Sequence, residues 1–175
     1  MIKRQPWFDR EFPTGLAVHL LPVLVERLRG TPARLDERLS GVRRDLLTRR
    51  IGDTWSIQEN VGHLLDLEPL WQRRLDDLKK RLPELTMADL TNRKTHEANH
   101  HATPLQSLVR YFRQAREVTV RKLETAPEET LRFSAMHPRL QMPMNIVDVA
   151  YFVAEHDDYH LARIGELLRE TSEAQ

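Results

Sequence analysis

Residues 145–169 read NIVDVAYFVAEHDDYHLARIGELLR. Asn145, followed three residues later by Asp148, marks a helix start, and the segment predicts a helix running to about Arg169. Val149, Val153, Ile164 and Leu167 fall on one stripe of that helix, with His156 and His160 at its centre. At about 100° per residue, positions four apart differ by only about 40°, so both imidazoles reach the same region of space. Placed on an apolar stripe they face inward, where each ring nitrogen needs a partner. Neutral imidazoles converging on a cation meet that need, whereas hydrogen-bonded core histidines are the plainer alternative for any His-x-x-x-His pair.

The rest of the chain supplies helices for such a stripe to pack against. Leu16, Leu20, Leu21, Leu24, Leu28, Leu35 and Leu39 recur at threes and fours across a first helical region, about Thr14 to Thr48. Gly30-Thr31-Pro32 marks either a kink in it or a new start, with Thr31 as cap and Pro32 at the first helical position. Ser56-Ile57-Gln58-Glu59 is a capping box opening a second helix, with Ile57, Val61, Leu64, Trp71, Leu75 and Leu78 on its apolar face and an end near Arg81. Thr103-Pro104 opens a third, which presents Leu105, Leu108, Phe112, Ala115 and Leu123. The polar stretch Glu84 to Ala102 reads as a long loop, and Pro127 to Met144 as irregular. Four long helices with one or two longer connections predict an all-α four-helix bundle forming a single domain over residues 1–175.

A bundle builds metal sites from facing helices, and His63 is the leading third ligand. It stands at the margin of the second helix's apolar face, on the line Asn60, His63, Leu67, Leu70. A core-capping histidine is its bland reading. His96, His100 and His101 form a second group that chelates only if its loop is helical; a solvated loop, or one folded over the site, is the alternative. No partner for His19 or His137 is visible. Asp157 is a candidate hydrogen-bond acceptor for a ligand's second nitrogen, although an exposed acidic surface is the more economical reading of Asp157 and Asp158. Glu155 and Tyr159 project off the stripe toward neighbouring helices. Trp55 and Trp71 read as core, with Trp55 also placed to line a pocket mouth.

Bulk properties narrow the function. Lys plus Arg is 27 against 26 for Asp plus Glu, a net charge of +1 that creates no long-range field toward nucleic acid or an anionic membrane. There is no cysteine, so zinc–thiolate sites and a thiol nucleophile of the protein's own are excluded, and a reducing cytoplasm is the expected setting. The N-terminal residues lack the apolar core of a signal peptide, and no apolar run approaches a membrane span.

Three segments resemble the DinB-like (DinB/YfiT-like) metalloenzyme family: Trp55-Ser56-Ile57-Gln58-Glu59-Asn60-Val61-Gly62-His63-Leu64, Met136-His137-Pro138-Arg139-Leu140, and Ala154 to Ile164. Their order and separation agree with the family from about Thr14 onward. The resemblance implies a four-helix bundle holding nickel or zinc on His63, His156 and His160. It also implies a small-molecule substrate, handled by thiol-dependent group transfer with a low-molecular-weight thiol or by hydrolysis, and often a homodimer. A non-catalytic metal- or ligand-binding stress protein is the competing class. Relatives often carry glycine shortly after the His-Pro pair, where this chain has Leu140-Gln141, which predicts a different pocket rim. Three neutral nitrogen ligands leave coordination positions open for water or substrate, and all-imidazole ligation suits zinc, nickel or copper over magnesium and calcium.

Overall fold

A computed structural model describes the backbone of residues 4–173 and the side chains of residues 4–170. Four long helices dominate: α1 (Leu21–Leu39), α3 (Ile57–Lys79), α5 (Leu105–Glu124) and α7 (Ile146–Glu173). Three short helices, α2 (Arg44–Thr48), α4 (Arg93–Glu97) and α6 (Glu128–Leu131), lie in the connections. None of the described helices is long and apolar enough to cross a membrane.

Each long helix packs on two others, giving the ring order α1–α5–α3–α7, with α1 diagonal to α3 and α5 diagonal to α7. Cross-helix bonds fix the directions. Asn60 meets His160 while Trp71 meets Phe152, so α3 and α7 are antiparallel. Glu68 meets Arg116 while Asp76 meets Lys122, so α3 and α5 are parallel. A parallel pair cannot be joined by a tight turn. The stretch read as a long polar loop is the return that this demands: it runs back along α3, touching Arg74 and Asp77 at Thr86, Asp66 at Thr95, and Gln58 at Thr103.

Local signals are mostly kept. At the start of α3, Ser56 accepts from the Glu59 amide while Glu59 accepts from the Ser56 amide, the full capping box. Asn145 Oδ1 accepts from the amides of Val147 and Asp148, and Asp148 accepts from the Asn145 amide. Four expectations are corrected. The first long helix begins at Leu21 and ends at Leu39, with α2 separate beyond Gly41. Gly30-Thr31-Pro32 starts no new helix, since Pro32 sits inside α1. The third long helix is preceded by Pro104 rather than capped by Thr103, whose side chain makes no cap bond. The stretch read as irregular contains an antiparallel hairpin, β1 (Ala135–His137) with β2 (Met142–Met144).

Pro32 has no amide to donate to the Leu28 carbonyl. Arg116 Nη1 donates to that carbonyl instead, at 3.3 Å. The same guanidinium binds Glu68 on α3 at 2.7 Å and both carboxylate oxygens of Asp157 on α7. Thr31 on α1 also donates to Asp157, at 2.7 Å, and Thr119 donates to Glu68. One buried polar node therefore joins all four long helices. It also corrects the reading of Asp157 as exposed acidic surface, because that residue is 0% exposed and binds Arg116 and Thr31 rather than a site histidine. Asp158 is half-buried and pairs with Arg27 and Arg34.

Candidate metal centre

The structure brings His63, His156 and His160 together. One ring nitrogen from each lies within 4.8 Å of the others, and all three side chains are buried. His63 comes from the second turn of α3, seven residues beyond the capping Ser56. His156 and His160 come from consecutive turns of α7. The antiparallel α3–α7 contact is what closes the triangle.

Two of the rings are oriented by their second nitrogens. His63 Nδ1 lies 3.0 Å from Thr95 Oγ1, whose single proton goes to Asp66 Oδ2 at 3.0 Å. Thr95 Oγ1 is therefore an acceptor toward His63, the proton of His63 sits on Nδ1, and Nε2 is left with its lone pair. His160 Nδ1 lies 2.8 Å from Asn60 Oδ1, and Asn60 Nδ2 is committed to the carbonyls of Ser56 and Trp55. His160 consequently donates through Nδ1 and also frees Nε2. This is the usual outer arrangement of metal-ligating histidines, with a threonine and an asparagine in place of the expected Asp157.

His156 differs. Its Nδ1 is buried with no hydrogen-bond partner among the described residues. A buried, unpartnered ring nitrogen on the third member of a close histidine cluster is an arrangement that a cation would satisfy. Protonation is opposed: burial, with smaller contributions from His100 and His96, pushes His63 down to about 4 against the attraction of Asp66. Burial also holds His156 and His160 well below the ordinary imidazole value, assisted by the neighbouring histidines. All three are thus neutral donors at neutral pH, as metal binding requires.

The centre opens into a cavity of about 270 Å³. Trp71 and Phe152 wall it, Trp55 stands beside His63 at 4.6 Å between ring centres, and Tyr159 lines it. Trp7 covers it, edge-on to His156 at 5.1 Å and packed on Phe12, Phe152 and Tyr159. This covering segment lies along α7, held by Arg4 to Glu166 and Tyr159, by Arg10 to Glu155, and by the amides of Gly15 and Leu16 to Asp148. Its role was missed in the sequence, where Trp7 has no periodic neighbours. An unexplained tryptophan beside Phe8 and Phe12 was the available signal.

The loop histidines are dispersed. His100 is buried and bonds Asp66 Oδ2 at 2.8 Å, and its ring lies against Gly62 so closely that a Cβ there would fall 2.3 Å away. His101 bonds Ser56 Oγ at 2.9 Å. His96 is exposed and sits near Trp55. None of the three joins a metal-binding group among the described residues, so this segment folds over α3 rather than forming a second centre. His19 is exposed, while His137 is buried with Arg74 as its partner. Gln141 takes φ +53° in the hairpin turn, a backbone conformation that favours glycine, and its side-chain amide donates to the Pro138 carbonyl.

Comparison with known proteins agrees with this fold. A solved structure from Bacillus subtilis, YfiT, described as a probable metal-dependent hydrolase with an unusual four-helix bundle topology, superposes with a TM-score of 0.79 over 94% of each chain at 16% identity. No protein of curated function matches the sequence. The model of the DinB superfamily matches residues 27–164, which span α1 to α7 and include all three histidines. The chain belongs to the DinB superfamily.

Proposed function

We propose that the chain is a divalent-metal-dependent enzyme acting on a small molecule, with His63, His156 and His160 as the ligands and zinc or nickel as the metal. The observation that carries the reading is the buried, unpartnered Nδ1 of His156 beside two histidines whose second nitrogens are fixed by Thr95 and Asn60. A bound divalent ion supplies Lewis acidity and lowers the pKa of water toward about 7. The chain's own residues do the rest. Thr95 and Asn60 keep two lone pairs aimed inward. Trp7, Trp71 and Phe152 exclude bulk water and offer aromatic surface to an organic substrate. Among the described residues, no carboxylate joins the histidine cluster.

Hydrolysis is the first reading, favoured by the likeness to YfiT, a protein described as a probable metal-dependent hydrolase. Group transfer to a low-molecular-weight thiol is the second. Because the chain has no cysteine, that thiol must come from outside and share the cavity.

Elemental analysis of protein purified from metal-replete medium tests the centre: about one zinc or nickel per chain is expected, falling to a small fraction in His156→Ala. A panel of ester, amide and thiol-acceptor substrates, with and without chelator, tests the enzyme. Turnover unaffected by chelation defeats the reading.

A further inference from the structure

The far wall of the cavity presents three nitrogen donors with too few acceptors. Arg74, on α3, is 2% exposed; His137, at the end of β1, is 2% exposed; Arg139 lies in the hairpin turn. All three line the same cavity as the histidine centre. His137 Nδ1 faces the amides of Arg139 and Leu140 at 3.3 and 3.2 Å, and its Nε2 faces Arg74 Nη1 at 3.0 Å. Amides and guanidinium only donate. A neutral imidazole carries one proton, so whichever nitrogen holds it, one donor faces another. Burial and the two neighbouring guanidinium groups push His137 down to about 3, which keeps the ring neutral. Arg139 Nη2 is buried and makes no hydrogen bond among the described residues.

Charge tells the same story. Arg116, the other buried arginine, is matched by two carboxylates. Neither Arg74 nor Arg139 makes an ion pair among the described residues; Asp77, the carboxylate acting on Arg74, is occupied by the amide and hydroxyl of Thr86. The one acidic residue on the cavity rim, Asp89, is turned into its own loop, accepting from Thr91 and Arg93. A guanidinium stays charged in proteins, and an unpaired charge in an apolar wall is costly.

We propose that Arg74, His137 and Arg139 form an anion subsite, so that the substrate is a small organic molecule bearing a carboxylate or phosphate group. This rests on the reading of the cavity as a substrate site. An oxyanion in front of the three groups accepts from both guanidiniums and from His137 Nε2–H, which resolves the facing donors. Phe152 separates the two ends of the cavity: its ring lies 5.3 Å from His137, and His156 stands one helical turn farther along α7. The anionic group and the reacting atom are then on the order of 10 Å apart, with the aromatic wall between them.

Phenylacetate, phenyl phosphate and neutral phenylacetamide, titrated against the metal-free full chain by tryptophan fluorescence, test this, since three tryptophans line the cavity. The anions are expected to bind about tenfold or more tighter than the amide, the effect of a charge-assisted bond. The tighter of the two anions identifies the substrate's group. Arg139→Gln, at a half-buried turn position, is expected to abolish the preference, and Arg74→Gln to do the same if it folds. Equal binding of anions and amide, no saturable binding of either anion, or an unchanged preference in Arg139→Gln overturns the proposal. Working without metal keeps the two readings apart: lost preference with stoichiometric metal binding removes the subsite alone, and retained preference in a chain that binds no metal removes the enzyme alone.

Discussion

The carbonyl of Leu28, left without an amide partner by Pro32, accepts instead from Arg116 Nη1 at 3.3 Å, and Arg116 comes from a different helix. The proline thus creates a vacancy that the buried Arg116–Glu68–Asp157 node fills. Burial raises the Glu68 pKa, against the pull of Arg116, so this carboxylate depends on its partner. Arg116→Met is expected to lose about 3–5 kcal/mol, because two carboxylates would remain buried without their cation. Urea unfolding of the metal-free protein measures it; a loss under about 1 kcal/mol would contradict this account of the node.

Thr95→Val keeps the shape of the side chain but removes the acceptor for His63 Nδ1–H. Metal affinity, measured by competition with a chromophoric chelator, should fall about 10–100-fold, with a stability change of only about 1 kcal/mol. An unchanged affinity would show that His63 needs no orientation from the return segment.

Gly62→Ala sets two effects against each other. Helix propensity favours alanine by about 1 kcal/mol. The new Cβ, however, would lie 2.3 Å from His100 Cγ, and that ring is tied to Asp66 at 2.8 Å. The clash should win, giving net destabilisation and weaker metal binding as Thr95 moves with the displaced segment. A more stable variant with normal metal affinity would exclude this.

Acid should destabilise the metal-free protein early. The folded-state pKa of His63 is lowered from 6.5 to about 4, and His156 and His160 shift the same way. Between those values the unfolded chain binds more protons than the folded one, so stability is complete above about pH 6.5 and falls as pH drops toward 4. His63 alone accounts for roughly 3 kcal/mol across that window. Chemical denaturation at a series of pH values checks the sign; a flat profile from pH 7 to 5 would mean that these rings are not buried neutral.

Gln141→Gly should stabilise the protein by roughly 0.5–1 kcal/mol, since a left-handed φ of +53° is strained for glutamine and free for glycine. The bond from its amide to Pro138 sets the upper limit. A melting temperature below that of the parent would show that this bond outweighs the strain.

Much of this was legible in the sequence because it is local. The capping boxes at Ser56 and Asn145, and the four-residue spacing of His156 and His160, need only a helix to be meaningful. His63 was harder. Its marginal wheel position acquires meaning only when α3 is antiparallel to α7, and that direction is set by distant pairings. Asp157 was misread because a carboxylate between polar neighbours looks solvated, whereas its partner Arg116 lies 41 positions away. Thr95 and Trp7 were missed for a related reason: each acts through the path of a connecting segment, which no periodicity reports.

The histidines ride on α3 and α7, but two segments outside the long helices, residues 4–16 and 86–103, define the cavity mouth by lying along those helices. Residues 4–16 contribute none of the three histidines and none of their hydrogen-bond partners, so the covering of the cavity is separable from the histidine cluster. The superfamily match begins only at residue 27, beyond the first of these segments. Under the proposed function, exchange of residues 4–16 re-specifies the substrate while the histidine triangle and Thr95 stay in place, a route by which one bundle diversifies without rebuilding its reactive end.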